Sequence, residues 1–314
     1  MTVPTPEDQR PALVVICGPT AVGKTGLALE MAERCGGEII SADSRQVYRL
    51  MDIGTAKPTA AEQQRIRHHL IDVAWPDEIF NAERFTALAH QAVNTICAQD
   101  KKPFLVGGTG LYIRALTEGL LRAPGADPEL RQQLHARAEE EGRAALHAEL
   151  ARQDPDTAAR LHPNDLVRIV RALEVYQHSG RSLAALQDAH GFGGQPYRTL
   201  KIGLDLERAE LYRRIDERAE AMFAQGLLEE AETLLQAGYD PAAKALVTIG
   251  YRQAFALLRG EVTRADALDD LKLATRRYAK QQLTWFRKDK SIIWLESSTD
   301  FVTIQQFIDE FHGI

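Results

Sequence analysis

The sequence predicts an α/β fold in which a parallel sheet is flanked by helices and an all-helical domain is inserted. The first third of the chain alternates short apolar runs with helical patterns, which is typical of a parallel sheet. From about Leu121 the composition changes to Ala, Glu, Arg and Leu at helical spacing, and at Thr199–Leu206 a strand pattern returns. The predicted domains are therefore a core of 1–120 with 198–314 and a helical insert of 121–197.

The first predicted strand, Ala12–Cys17, leads directly into the signature GxxxxGK[ST] of a phosphate-binding loop, or P-loop. The signature consists of Gly18, Pro19, Thr20, Ala21, Val22, Gly23, Lys24 and Thr25. A helical pattern follows it and ends at the Gly36-Gly37 pair. The strand before the loop and the helix after it are the context that the signature requires, so the core is predicted to be P-loop NTPase-like.

The chemistry of a phosphate site explains the residue types in this loop. Glycines allow backbone N–H groups to turn towards phosphate oxygens, and the N-terminus of the following helix favours an anion. We expect Lys24 to reach the terminal phosphates and the Thr25 hydroxyl to hold Mg²⁺. The alternative is a glycine-rich turn that matches the signature by accident.

Two further predicted strands point at the same site. Glu38–Ala42 is followed by the run Asp43-Ser44-Arg45-Gln46. Pro103–Val106 is followed by the run Gly107–Gly110. Ligands of parallel sheets bind beyond the carboxyl ends of the strands, so we expect both runs to face the P-loop. Asp43 is then a candidate catalytic residue, although a lone Asp at a strand end is also typical of a turn cap.

The helical insert has two clear helix starts. Asp127 followed by Pro128 is a good N-terminal signal, and His162–Asp165 is a second one. The apolar positions after it recur at helical spacing on one face. Arg168 and Arg171 lie three residues apart on a neighbouring face, which by itself is the pattern of a solvated surface.

The C-terminal third is predicted to be helical, apart from a strand at Ser291–Leu295. Basic residues recur along one face of its last long helix, at Lys272, Arg276, Lys280 and Arg287. On a chain with a net charge of −6, such a stripe is the pattern expected of a local nucleic-acid-binding surface, or footprint. A solvated helix with its aromatic residues in the core fits the same pattern.

Composition excludes several classes of protein. Met1–Arg10 is polar and does not resemble a signal peptide, and no run of eighteen apolar residues occurs, so we expect a cytoplasmic protein with no membrane segment. The three cysteines, Cys17, Cys35 and Cys97, have neither zinc-site spacing nor that of a disulfide framework. The negative net charge excludes a uniformly basic nucleic-acid binder.

Taken together, these motifs resemble the tRNA dimethylallyltransferase family. The matching stretches occur in the family's order along nearly the whole chain: Gly18–Thr25, Ser41–Tyr48, Met51–Pro58, His68–Asp72, Val106–Tyr112, His162–Val175, Val247–Gln253 and Arg277–Arg287. Beyond the P-loop each stretch is weakly specific, and their combination is what indicates the family. Val22, where the family often has Ser, is a departure at a variable position.

This resemblance implies transfer of a dimethylallyl group from dimethylallyl diphosphate to the exocyclic amine of the adenosine on the 3′ side of the tRNA anticodon. The products would be N6-isopentenyladenosine and diphosphate, and the P-loop would hold the diphosphate rather than ATP. The resemblance implies Asp43 as the carboxylate near the amine, where it would either remove the proton or only orient the amine. It implies Arg218 as a cation on the departing diphosphate, with Mg²⁺ as cofactor. Thr109, a third catalytic candidate, would either touch the target nucleotide or bridge to the leaving group. The adenosine would have to leave its stack to reach the donor.

The resemblance also implies where the tRNA anticodon stem-loop binds. The expected contacts lie on two strand-end loops, the insert and the C-terminal helices: Asp43, Ser44, Arg45, Gln46, Thr109, Arg131, Val167, Arg168, Ile169, Val170, Arg171, Val247, Thr248, Ile249, Gly250, Tyr251, Arg252, Lys280, Gln281, Gln282, Leu283, Thr284, Trp285, Phe286 and Arg287. The pair His68-His69 has no partner at metal-ligand spacing and is predicted to be structural. Nothing suggests a dimer seam, so we expect a monomer.

Three alternatives remain open. A small-molecule or nucleoside kinase would use the same loop with ATP. A prenyltransferase acting on free adenine nucleotides would not need the basic C-terminal helix or the arginine-bearing insert. A P-loop binding protein without chemistry would hold a nucleotide and not turn it over. No apolar run ending in Asp-Asp or Asp-Glu occurs, which weakens ATPase interpretations in general.

Overall fold

A computed structural model describes residues 8–121, 123–190 and 194–313. The chain forms two compact units, one of Met1–Thr117 with Pro196–Ile314 and one of Glu118–Gln195. The first seven residues, which belong to the polar N-terminal stretch discussed above, lie outside the described residues. Within the described ranges, no helix has the length and hydrophobicity that crossing a membrane would require.

The first unit is built on a six-stranded sheet whose neighbouring strands are all parallel. The strands are β1 (Ala12–Cys17), β2 (Gly37–Ser41), β3 (His68–His69), β4 (Lys102–Gly107), β5 (Arg198–Asp205) and β6 (Ile292–Glu296). Their spatial order is β3-β2-β4-β1-β5-β6, so β1 pairs with β4 on one side and β5 on the other. The predicted parallel sheet is confirmed, and β3 is an additional edge strand that the sequence pattern does not predict.

Helices cover both faces of this sheet, which explains why β1 reads as an unbroken apolar run. The helices of the first unit are α1 (Lys24–Cys35), α2 (Ala60–Arg65), α3 (Ala82–Cys97) and α4 (Gly110–Glu118) before the second unit, and α10 (Arg208–Ala224), α11 (Leu227–Gln236), α12 (Tyr251–Leu258), α13 (Arg264–Phe286) and α14 (Phe301–His312) after it. One apolar layer contains Phe85 and Tyr251, and the other contains Met31 and Phe311.

The second unit is helical and has its own apolar core. Its helices are α5 (Pro128–Glu140), α6 (Arg143–Gln153), α7 (Pro155–Ala159), α8 (Leu166–Ser179) and α9 (Leu183–His190). The Asp127 side chain accepts a hydrogen bond from the Leu130 N–H at the start of α5. Ile169 and Leu173 are fully buried in a cluster with Leu146 and Leu150. The apolar stripe of α8 therefore faces this core.

The basic stripe on α13 lies partly against another helix. Lys272 Nζ lies 2.6 Å from Glu220 Oε1, and Arg276 binds both carboxylate oxygens of Asp216, with Nε 3.0 Å from Oδ1. Both acidic residues belong to α10, which packs along α13. These two cations therefore join helices, and the footprint interpretation does not apply to them.

A carboxylate on α11 orders the chain segment after β2. Glu230 Oε2 accepts hydrogen bonds from the N–H groups of Asp52 and Ile53, both at 2.8 Å. Glu230 Oε1 accepts from the Gly54 N–H at 2.9 Å and from the Tyr251 hydroxyl at 2.5 Å. One side chain thus satisfies three consecutive backbone donors of a loop that has no strand to pair with.

We predict that Glu230→Ala lowers the free energy of unfolding by about 2–4 kcal/mol, because three backbone donors and a buried hydroxyl lose their acceptor. Urea denaturation followed by circular dichroism measures this difference. Glu232→Ala, an exposed position on the same helix, is the matched control and should stay close to wild type. Equal losses in the two variants would contradict the anchoring role.

Candidate active site

A cavity of about 430 Å³ in the first unit lies at the carboxyl ends of β1, β2 and β4. It is lined by residues of the P-loop, of the turn after β2 and of the loop after β4, together with side chains from α10, α12 and α13. Its polar and charged lining includes Thr20, Lys24, Thr25, Asp43, Ser44, Arg45, Gln46, Thr55, His68, Thr248, Arg218, Arg252, Thr275, Tyr278 and Gln282. Strand ends that are distant in sequence thus meet at one site.

The P-loop has the backbone geometry of an anion cradle. Gly18 has φ +144°, and a Cβ there would lie 2.9 Å from the Leu204 carbonyl oxygen. Gly23 has φ +104° and caps α1 without a side chain, and the first turn of α1 contains no acidic residue. The first-turn N–H groups of α1 are therefore left for a ligand, and the helix dipole favours an anion there.

Two cations in the cavity, Lys24 and Arg218, form no direct ion pair with a carboxylate in the described part of the chain. The ammonium of Lys24 donates to the Pro19 carbonyl oxygen at 2.6 Å. Burial, and then the nearby Arg218, lowers the pKa of Lys24 to about 8, while Asp43 acts in the opposite direction. Burial also lowers the pKa of Arg218, against the favourable field of Asp43. The site is thus short of negative charge, which a diphosphate would supply.

The position of Asp43 is compatible with both of the roles considered for it from the sequence. Its Oδ1 accepts hydrogen bonds from the N–H groups of Arg45 at 2.8 Å and Gln46 at 3.3 Å, so it caps its own turn. It also lines the cavity that contains Lys24 and Arg218. The cap fixes the carboxylate by one oxygen and leaves the other for a ligand. The turn-cap and catalytic interpretations are therefore compatible.

Thr109 and Gln46 hold the loops of the site together. The Thr109 hydroxyl oxygen accepts from the Ser44 N–H at 3.1 Å, which ties the turn after β2 to the loop after β4. The Gln46 amide donates to the Ala56 carbonyl oxygen at 3.1 Å, and its oxygen accepts from the Ser41 hydroxyl at 2.9 Å. Arg45 donates to the Lys244 carbonyl oxygen at 3.0 Å. These side chains connect backbone segments as well as lining or bordering the cavity.

The expected RNA contacts near α12 and on α13 differ in how accessible their side chains are. Val247, Thr248, Ile249 and Arg252 line the cavity, whereas Tyr251 is fully buried and Gly250 is the N-cap of α12. On α13, Gln282 and Phe286 are buried and Leu283 is partly buried. The exposed residues are Lys280, Gln281, Thr284, Trp285 and Arg287.

Two of the arginines expected to contact RNA in the helical unit are bound to one buried carboxylate. Arg131 Nε and Nη2 both lie 2.8 Å from Glu174, and Arg171 pairs with the same carboxylate and donates to the Pro124 carbonyl oxygen at 2.8 Å. Burial raises the pKa of Glu174, but hydrogen bonds from Arg131 and its neighbours outweigh this and lower it to about 2.

The other residues of α8 that were expected to contact RNA are partly buried in the core and partly exposed to solvent. Ile169 and Val170 are core residues of the helical unit, so their side chains face away from solvent. Val167 is 75% exposed. The Arg168 side chain is 65% exposed and pairs loosely with Asp165 at 3.3 Å. Side-chain contact with a large ligand is therefore available to Val167 and Arg168.

The oxygen donors at the cavity suit a magnesium ion that arrives with a phosphate ligand. In the described ranges, no group of three His, Cys, Asp or Glu side chains could hold a metal ion. The Thr25 hydroxyl, the donor expected from the sequence, is in the cavity lining. Mg²⁺ commonly takes one or two protein oxygens and completes its shell with substrate phosphates and water. The donor set fits that mode of binding.

The structure adds His68 to the site, a residue that the sequence pattern did not place there. His68 lines the cavity, and its Nδ1 lies 2.8 Å from the Ile66 carbonyl oxygen. His69 Nε2 lies 2.7 Å from Glu38 Oε2. The sequence predicted a structural role for this pair and did not place it in the site. Both rings take part in local contacts of the β3 edge.

Comparison with known proteins agrees with this architecture. The family model described as IPP transferase matches residues 46–289. The tRNA dimethylallyltransferase of Geobacter metallireducens is 51% identical and covers 98% of this chain and 99% of its own. The crystal structure of the tRNA isopentenylpyrophosphate transferase of Bacillus halodurans has a TM-score of 0.71 and 41% identity, with 96% of each chain covered.

A second solved structure extends the comparison to a more distant relative. A eukaryotic dimethylallyltransferase, described as acting on tRNA, has a TM-score of 0.78 and 26% identity, with 96% of this chain and 80% of its own covered. The likeness therefore spans both units and includes the P-loop, which precedes the region matched by the family model. The resemblance found in the sequence is confirmed: the chain belongs to the IPP transferase family of tRNA dimethylallyltransferases.

Proposed function

We propose that this chain transfers the dimethylallyl group of dimethylallyl diphosphate to the exocyclic amine of the adenosine on the 3′ side of the tRNA anticodon. The observation that carries the proposal is the cavity in which, among the described residues, an anion cradle, two cations without a direct ion pair and the single carboxylate of Asp43 meet. An allylic diphosphate supplies the missing negative charge, and an amine supplies a proton for the carboxylate. The relative of 51% sequence identity that is named tRNA dimethylallyltransferase supports the choice of substrates.

The diphosphate is proposed to bind to the N–H groups of the P-loop and the first turn of α1. Lys24 and Arg218 then lie where negative charge develops as the allylic carbon–oxygen bond breaks. Mg²⁺ held by the Thr25 hydroxyl and the diphosphate oxygens would neutralise further charge on the leaving group. The P-loop residues Gly18–Thr25 thus serve a leaving group, and ATP is not required.

Asp43 is proposed to act on the amine. As the adenosine nitrogen attacks the allylic carbon, the carbon–oxygen bond breaks and a proton leaves the nitrogen. The Asp43 oxygen that does not cap the turn accepts this proton. Arg45 and Gln46 hold the carboxylate by their backbone N–H groups, and Thr109 fixes the turn, so Thr109 acts by positioning.

Bound tRNA is proposed to contact the exposed members of the expected set, including Val167, Arg168, Lys280, Trp285 and Arg287. An anticodon loop is single-stranded, so its adenosine can be unstacked and inserted into the cavity at low cost. Exposed cations contact phosphates, and Trp285 offers a face for stacking. The protein is proposed to act as a monomer in the cytoplasm.

The function is tested with unmodified tRNA, dimethylallyl diphosphate and Mg²⁺, with the nucleosides analysed by mass spectrometry. We expect one dimethylallyl group on adenosine and release of diphosphate. Reactions with ATP in place of the donor, and with AMP in place of tRNA, distinguish the kinase and free-nucleotide alternatives. Phosphate transfer from ATP, or preferential modification of AMP, would refute the proposal.

We predict that Asp43→Asn lowers the rate of the chemical step about 10²- to 10⁴-fold, because Asn cannot take the proton. Asn can still cap the turn, so the loop geometry should persist. Single-turnover kinetics with saturating donor measure this effect. Asp269→Asn, an exposed position on α13, is the matched control. An unchanged rate in Asp43→Asn would show that the carboxylate is not the base.

We predict that donor affinity falls as the pH rises through about 8, where Lys24 of the free protein loses its proton. A lowered pKa means that the ammonium is charged below this pH and neutral above it, and only the charged form attracts diphosphate. Titration calorimetry with dimethylallyl diphosphate from about pH 7 to about pH 9.5 measures the profile. Lys24→Met should bind weakly and lack this inflection. The same inflection in both proteins would assign it to another group.

A further inference from the structure

Gln282 connects two loops of the cavity from a third element. Gln282 lies on α13 and is buried, with 6% of its surface exposed. Its Oε1 accepts a hydrogen bond from the Thr20 N–H of the P-loop at 2.8 Å. Its Nε2 donates to the carbonyl oxygen of Gly108, in the loop after β4, at 3.0 Å. One amide thus bridges two backbone segments.

The chemistry of the two partners fixes the orientation of this amide. The backbone N–H of Thr20 can only donate, and the carbonyl oxygen of Gly108 can only accept. Flipping the amide would place a donor against a donor and an acceptor against an acceptor. Gln carries an acceptor and a donor on one planar group of this reach, so the bridge needs this residue type. Glutamate would lack the donor, and leucine would lack both.

The packing at residue 108 is adapted to the bridge. A Cβ on Gly108 would lie 2.2 Å from Gln282 Nε2, whereas the next nearest atoms are Gln282 Cδ at 3.3 Å and the Gly18 carbonyl oxygen at 3.5 Å. Gln282 is therefore the only severe obstacle among these contacts. The absence of a side chain at residue 108 is what lets the amide reach its two partners.

We infer that Gln282 is a positioning residue that holds the diphosphate loop in its binding conformation. The P-loop contains Gly18 and Ala21 at positive φ, +144° and +64°, a conformation that costs free energy for Ala21. Gln282 fixes the Thr20 N–H between these two residues and leaves the remaining loop N–H groups for the ligand. The inference rests on the proposed function and assigns the residue that pre-organises its diphosphate site.

The test compares Gln282→Leu, which keeps the side-chain volume and removes both hydrogen bonds, with wild type. We expect the KM for dimethylallyl diphosphate and the Kd for inorganic diphosphate with Mg²⁺ to rise at least about tenfold, since two hydrogen bonds to the loops are lost. The KM for tRNA should change less than twofold to threefold. Gln236→Leu, the same substitution at an exposed position on α11, is the matched control.

A double-mutant cycle separates positioning from general stability. In wild type, Gly108→Ala displaces the amide and should raise the KM for the donor. With Gln282→Ala already present, the methyl group enters vacated space, and Gly108→Ala should add little further effect. Additive effects of the two substitutions would overturn the inference. If Gln282→Leu folds poorly, this cycle still tests the inference that Gln282 positions the P-loop.

Failure of the inference can be told from failure of the proposed function. Wild type that binds diphosphate and modifies tRNA, with Gln282→Leu binding diphosphate equally tightly, would overturn the inference alone. Wild type that neither binds inorganic diphosphate with Mg²⁺ nor modifies tRNA would remove the proposed function and the inference with it. A parallel loss of tRNA and donor affinity in Gln282→Leu would indicate a general structural role and would also overturn the inference.

Discussion

The backbone pairing of β1 with β4 and β5 is the constraint on which the site depends. Parallel pairing places the carboxyl ends of all the strands at one edge of the sheet. The P-loop after β1 therefore lies beside the loop after β4, and β2 on the far side of β4 brings the Asp43 turn to the same edge. The packing of α10 against this core adds Arg218 to the same cavity.

Charge compensation distinguishes the residues of the proposed site from the structural ones. Arg276 on α13 and Arg131 in the helical unit each bind both oxygens of a carboxylate. Lys24 and Arg218 have no such partner in the described ranges, although burial works against their charge. An uncompensated pair of cations is costly in the free protein, and an anionic ligand removes that cost. This asymmetry is why we assign diphosphate to the cavity.

Several loops of the site are held by single polar side chains from distant elements. Glu230 binds three backbone N–H groups after β2, Thr109 binds the Ser44 N–H, and Gln282 joins Thr20 to Gly108. Loops have no regular ladder to satisfy their backbone groups, so such side chains take its place. They hold the proposed phosphate cradle and the Asp43 carboxylate in fixed positions, and pre-organisation of this kind contributes to catalysis in enzymes.

The sequence alone determined the parallel α/β core, the phosphate loop, the helix start at Asp127 and the family, because these depend on local spacing and residue type. Only the tertiary structure decided that β3 forms at His68–His69, since a strand of two residues has no readable period. It also decided that Lys272 and Arg276 pair with α10, and that Gln282 binds Thr20 across 262 residues of sequence. The spacing of residues in a sequence shows which face of a helix a side chain lies on. Which residue that side chain contacts depends on how separate helices and strands pack.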